Sequence, residues 1–479
     1  MTMRQVDELG AMYLAAENDR TRTHTALLAT IDPAALAGGR LTVRRLRELL
    51  RERLDLVPAF HRRLAAVPFG LDRPFWIDCA VDLDFHVREI ALPEPGDDEV
   101  LREQVARIFS RPLDRSRPLW EMYLVQGLAG GRAAVLTKVH HALADAQAGL
   151  QILGALADAE PNPQRRTAPP PGPSDPPPRA VSMLVHSLSG LVRQPVRAVT
   201  GLPAALSGAD ELPVVGSLPG VRLVGAAAAL AGRRHPHRPI GRAPRTSFNG
   251  RISAQRRIGV ADVPFDDVRF VKRHFAVSVN DVVMAIAAGA LRRWLLEHSE
   301  LPDRSLTAVV PVSLRRPGSA AGGNQLSAVV VPLPTDVGDP AARLGVAHRA
   351  MLVALRDLRT TAPDALTDTI RLVPPPFLVR TVQFLSRLNA WAPRTPATNV
   401  NISNIRGPGE PLYLAGAVVE SLVPLAGITD GLGLNLTVMS YRDRLAIGIV
   451  ADREEVPDVQ CIADSLGAEL AALVTFAAH

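Results

Sequence analysis

Residues 161–180 read PNPQRRTAPPPGPSDPPPRA, nine prolines in twenty positions. Proline lacks an amide donor and fixes φ, so neither a helix nor a central strand runs through such a segment. The stretch predicts an extended linker. It divides the 479 residues into an N-terminal part, 1–160, a connector, 161–245, and a C-terminal part, 246–479. Within the connector, VSMLVHSLSGLVRQPVRAV spaces apolar residues as a helix does, and Arg233 to Arg245 reads as a basic loop, either a solvated connector or a contact for anionic groups.

Hydrophobic residues make up 47 % and charged residues 21 % of the chain, which excludes a mostly disordered chain and a multi-span membrane protein. No signal peptide is expected, because charge interrupts MTMRQVDELGAMYLAAENDR. The most apolar stretch, Leu212 to Gly232, is broken by Pro213, Pro219 and Arg222. If the protein meets a membrane, it is expected to lie on it. Two cysteines, Cys79 and Cys461, exclude a disulfide framework and a cysteine-built metal site, and they fit a reducing cytoplasm. The net charge is +6, but only Lys138 and Lys272 are lysines, so the arginines reflect coding bias more than chemistry. Aromatics are 4 %, too few for a base-stacking platform, and a nucleic-acid role is set aside.

Patterning predicts strands at Arg22–Ile31, Tyr123–Gln126 and Ala133–His140, and helices at Thr42–Arg53 and Glu99–Ser110. Further on it predicts helices at Val263–Phe275, Ser278–Ser299 and Pro457–Ala478. Strands are expected at Ala308–Val312, Ser327–Leu333, Asn399–Asn404, Gly433–Ser440 and Arg444–Ala451. This is a mixed α/β architecture in two halves.

The most informative segment is AVLTKVHHALADAQAGLQILGAL. A strand ends in His140-His141, and a helix follows from about Asp145. Neighbouring strand residues point to opposite faces, so one histidine can face a cleft while the other is held by the body of the fold. Asp145 sits where a carboxylate suits both helix capping and a histidine-orienting contact. A neutral imidazole at a cleft mouth is a good general base. A core histidine pair, or two ligands of an incomplete metal site, would read the same way.

His140-His141-Ala142-Leu143-Ala144-Asp145-Ala146 resembles the HHxxxDG motif of the CoA-dependent acyltransferases. Further segments resemble one branch, the bacterial wax ester synthase/acyl-CoA:diacylglycerol acyltransferases. They are Arg117-Pro118-Leu119-Trp120, Asn280-Asp281-Val282-Val283, Asn401-Ile402-Ser403-Asn404-Ile405-Arg406-Gly407-Pro408 and Pro311-Val312-Ser313-Leu314-Arg315 with Gly323-Asn324-Gln325. The opening Asp7 to Glu17 and Phe85-His86-Val87-Arg88 follow it too.

The resemblance implies a two-lobed fold like that of chloramphenicol acetyltransferase, each lobe a mixed sheet with helices and the active-site tunnel between them. A strand exchanged between the lobes is part of that expectation. It implies transfer of a long-chain acyl group from acyl-CoA to diacylglycerol, and to long-chain alcohols, at a cytoplasmic membrane face or lipid droplet. No metal is implied, and no cofactor beyond acyl-CoA as substrate. His141 is implied as the base, with no acyl-enzyme; His140 and Asp145 position it. Pro118 and Leu119 are implied as channel wall, and Trp120 as wall or core. Asn280 and Asp281 are helix caps or support for the site. Asn401 and Ser403, on one strand face, are donors to substrate or strand-edge groups.

Two positions depart from the family. The motif glycine is Ala146, which costs about 1 kcal/mol if positive φ is required, or narrows the cleft if clearance is. His24 stands in the usual PMH stretch, either lining the acyl channel or packed in the core. Ala146 motivates an alternative, a catalytically weak acyl-CoA- or droplet-binding paralogue. A condensation-type enzyme acting on carrier-protein thioesters is the third reading, and the PLW, ND and NxSN elements speak against it.

Overall fold

Two six-stranded sheets organise the computed structural model, which describes residues 4–143, 146–161, 182–183, 243–313, 326–360, 396 and 398–478. Asp145, Leu314-Arg315, Gly323 to Gln325, the proline-rich run beyond Pro161, nearly all of the connector's two apolar stretches and most of its basic loop lie outside the described residues.

The first sheet orders its strands Tyr413–Leu414, Ala417–Ala426, His24–Asp32, Ala133–His140, Trp120–Gln126 and Val87–Ala91. The second runs Leu326–Leu333, Leu306–Ser313, Val400–Ile405, Leu434–Tyr441, Arg444–Asp452 and Arg256–Pro264. Both are mixed: Val400–Ile405 is parallel to each neighbour, and Val87–Ala91 is parallel to Trp120–Gln126.

The helices cover these sheets where apolar stripes require it. Val43–Arg53 buries Leu46, Leu49 and Leu50, and the Thr42 hydroxyl caps it by accepting from the Arg45 amide at 3.3 Å. Val279–Glu297 is buried along most of its length in the second lobe's core. Val459–Ala478 is long and apolar enough to cross a membrane, but Ile462, Leu466, Leu470 and Leu473 are buried in that same core.

The helix expected over Val263–Phe275 begins only at Phe265. Val263 and Pro264 extend the strand instead, opposite Leu445 and Arg444. That strand is the sheet's edge, where proline's missing donor leaves no ladder bond unmade.

Ala417–Ala426 comes from the C-terminal part yet pairs antiparallel with His24–Asp32 in the first sheet, from Val418 opposite Asp32 to Ala426 opposite Thr25. This is the exchanged strand that the resemblance implies. A register shift between Val419 and Ser421, together with Pro424, breaks its alternation. Its pattern therefore does not read as a strand from sequence. A Cβ at Gly448 would collide with the Pro424 carbonyl oxygen, so the two sheets touch backbone to backbone there, and only glycine fits.

Candidate active site

The strand Ala133–His140 carries the histidine pair, and its register opposite His24–Asp32 is fixed from below. The last carbonyls of helix Asp98–Ser110 lack intrahelical donors. Side chains on the two strands, and Arg22 just before them, supply donors. Lys138 Nζ donates to Ile108 O at 3.1 Å and Arg111 O at 2.6 Å, and Arg22 Nε donates to Ser110 O at 3.3 Å. His24 Nε2 lies 2.7 Å from Phe109 O and donates to it. Cations at a helix C-terminus also complement its dipole. Lys138 is fully buried, and burial brings it down to about 8 against the opposing pull of Glu121 and Glu17. His24, fully buried and edge-on to Phe109, belongs to the core and does not line a channel.

The two histidines diverge. His140 is fully buried. Its Nδ1 accepts the Ala142 amide at 2.9 Å, so the proton resides on Nε2, which donates to Thr23 Oγ1 at 3.0 Å. The Thr23 hydroxyl in turn donates to Tyr13 O at 3.1 Å. Glu17 Oε2 stands 3.7 Å from His140 Nε2 and is clamped by Arg115 through Nη2 at 2.7 Å and Nε at 3.2 Å. Burial pushes the Glu17 carboxyl up, but His140 and Arg115 outweigh it and hold it at about 2. Glu17 is therefore an anion that orients the His140 side of the pair.

His141 follows the strand and is partly exposed. Its amide donates to Thr23 O at 2.9 Å, which anchors the backbone. The ring lies against Tyr13, centroids 4.7 Å apart and planes 16° apart. Low-dielectric surroundings, and then the neighbouring His140, lower its pKa to about 4. It is neutral at pH 7 and able to take a proton. Its rate profile is expected to be flat from pH 8 down to 6, with a half-point below 5. A half-point of kcat/KM near 6.5 would remove His141 as the base. The same depression costs stability. As pH falls from 6.5 towards 4 the unfolded chain binds this proton first, so folding weakens over that window.

The other predicted residues separate into core and support. Leu119 is fully buried with Val6, Ala11 and Leu14, against Ala142 and Leu143, and its carbonyl accepts the His140 amide at 3.0 Å. Pro118 is buried beside it. Leu119 packs behind the histidine turn, and Pro118 also borders a small cavity lined by Arg63, Asp82, His86 and Arg117. Trp120 is core: it stacks on Phe60 at 4.3 Å and on His86 at 4.4 Å, and its Nε1 donates to Phe60 O at 3.0 Å.

Asp281 does close a capping box with Ser278, and its Oδ2 also stands 2.8 Å from His348 Nδ1. Asn280 Oδ1 accepts from Asn404 Nδ2 at 3.0 Å, tying the long helix to Val400–Ile405. Asn401 and Ser403 project from the opposite strand face, in register with Asn435 and Thr437, and are half-buried. Ile405, Met439 and Tyr441, near the ends of the second sheet's strands, share one apolar cluster with Val139 and Leu143, which flank the histidines. The pair thus sits where the two lobes meet. Ala146 opens the helix Ala146–Leu156, where alanine is at home, so the expected positive-φ cost does not arise.

Sequence patterning does not single out Glu17, Arg115, Tyr13, Thr23 or His348. Tyr13 and Glu17 stand four residues apart, a spacing that places them on the same side of the chain's opening turns. The pattern does not say what that side meets.

The described residues contain no cluster of three or more histidine, cysteine or acidic side chains fit for a metal. A family model described as the wax ester synthase/diacylglycerol acyltransferase catalytic domain matches residues 6–283, and the corresponding C-terminal domain matches 322–474. A putative diacylglycerol O-acyltransferase of Mycobacterium tuberculosis is 33 % identical, covering 96 % of this chain and 88 % of the relative. The solved wax ester synthase/diacylglycerol acyltransferase from Marinobacter aquaeolei superposes with a TM-score of 0.71 at 26 % identity over both whole chains. The trichothecene 15-O-acetyltransferase of Fusarium sporotrichioides, at 13 % identity and a TM-score of 0.59, shares the fold. With both domain models matched in order around the histidine seam, the chain belongs to the wax ester synthase/diacylglycerol acyltransferase family.

Proposed function

We propose that His141 is the general base of an O-acyltransferase that moves a long-chain acyl group from acyl-CoA to diacylglycerol or a long-chain alcohol. The observation that carries this is the neutral, partly exposed imidazole at the meeting of the lobes, held by a buried and oriented neighbour. In the reaction a ring nitrogen of His141 takes the acceptor's hydroxyl proton as the oxygen attacks the thioester carbonyl. The new C–O bond forms, the tetrahedral intermediate collapses, and the C–S bond breaks. The departing CoA thiolate recovers the proton from the imidazolium. No acyl-enzyme is formed. Asn401 and Ser403, on the second lobe, are the polar groups suited to the oxyanion or to CoA. Acceptors of this kind reside in lipid, which supports peripheral association with a cytoplasmic membrane face or a droplet surface.

Purified protein with palmitoyl-CoA is expected to release CoA only when dioleoylglycerol or hexadecanol is added, yielding triacylglycerol or wax ester. Acyl-CoA binding without release, with either acceptor, would favour a binding paralogue. If Ala146 only narrows the cleft, Ala146→Gly is expected to raise turnover with long acceptors severalfold and leave hexanol turnover unchanged. An equal rise with both acceptors would count against clearance.

A further inference from the structure

We propose that Tyr13 is a positioning residue for His141, holding the imidazole in the plane in which it meets the acceptor hydroxyl. The inference rests on the reading of His141 as base. An imidazole nitrogen accepts a proton along a lone pair in the ring plane, so rotation of the ring moves that lone pair off the hydroxyl. The backbone of His141 is pinned by Thr23, which leaves ring rotation to be limited by packing. Tyr13 covers one face in near-parallel stacking, at 4.7 Å and 16°, a geometry in which the tyrosine itself does not block the in-plane nitrogens.

The cover is itself anchored. The Tyr13 carbonyl accepts from Thr23 Oγ1, the same hydroxyl that accepts a hydrogen bond from His140 Nε2, and the Thr23 carbonyl accepts from the His141 amide. Ala11 and Leu14, flanking Tyr13 on helix Glu8–Ala16, are buried with Leu119 against Ala142 and Leu143 of the histidine turn. Gly10 of the same helix faces the Ala142 Cα, where a Cβ would lie 3.4 Å away. The helix is therefore docked on the turn that it serves.

The stack acts again after proton transfer. His141 becomes a cation lying on an aromatic face, and the attraction grows as the charge develops. It is larger in the transition state than in the ground state, so it bears on kcat. Among the described residues the ionisable neighbours are His140, at the end of the preceding strand, and Glu17, held by Arg115, just beyond the Tyr13 helix, and the Tyr13 substitutions below leave all three in place.

The test compares Tyr13→Phe with Tyr13→Leu in the full chain, with His141→Ala alongside. Tyr13→Phe keeps the stack and is expected to retain kcat within about twofold, whereas Tyr13→Leu is expected to lose about tenfold with KM for palmitoyl-CoA little changed. Thermal melting identifies any loss due to unfolding. If Tyr13→Leu melts early, Tyr13→Met replaces it in the comparison. A well-folded leucine or methionine variant at wild-type rate would overturn the proposal, as would a phenylalanine variant that falls as far as leucine. Full activity in His141→Ala would remove the base reading, and the proposal with it. A loss in His141→Ala with no difference between leucine and phenylalanine would remove the Tyr13 role alone.

Discussion

His141→Ala is expected to lower kcat with palmitoyl-CoA and dioleoylglycerol by about 10²–10⁴-fold, the contribution of a positioned general base. The side chain is partly exposed and the residue is anchored through its backbone amide, which alanine keeps, so the fold is expected to survive. Residual turnover would come from holding the two substrates together. A loss below tenfold in protein that melts normally would place the base elsewhere. His140→Ala reaches the same rate by another route. It removes the acceptor of the Ala142 amide and the donor to Thr23, and leaves Glu17 and Arg115 without their histidine. Its loss is expected to come with a lower melting temperature, which separates a positioning histidine from a proton-accepting one.

Trp120→Ala is expected to destabilise the protein by about 3–5 kcal/mol, the range for deleting a large aromatic from a packed interior. Trp120 is closed to solvent and stacked between Phe60 and His86. Alanine there leaves a cavity and strips the Phe60 carbonyl of its indole donor. Domains are commonly stable by only about 5–15 kcal/mol, so much of the margin would go. Trp120→Phe retains stacking and is expected to lose roughly half as much or less. The measurement is chemical or thermal unfolding, paired with kcat per folded molecule. If Trp120 instead lined the acyl channel, Trp120→Ala would change acyl-length preference with little change in melting.

The histidine strand, the long capped helix Val279–Glu297 and five of the second sheet's six strands are legible in local sequence patterns alone, whereas the edge strand Arg256–Pro264 is not. Strand alternation, helical period and capping are settled by neighbours a few residues apart. The divergence of His140 and His141 follows from the same alternation. Asp145 is legible too, but it lies outside the described residues.

Tertiary structure decided what the pattern left open. Trp120 could be wall or core, and its partner Phe60 is 60 residues away. His24 could face a channel, and a carbonyl of helix Asp98–Ser110 claims it. His140 meets Thr23 across 117 residues, and Glu17 and Tyr13 arrive at the pair from an opening helix whose sequence does not name its target. The chain alone picked out the histidine pair and the strand and helix on either side of it. Only the tertiary structure, through the exchanged strand and the packing of helix Glu8–Ala16 on the histidine turn, decided that the His140 imidazole is fully buried and that the His141 imidazole is partly exposed against Tyr13. The physical reason is that such contacts depend on long-range closure, which no local propensity encodes.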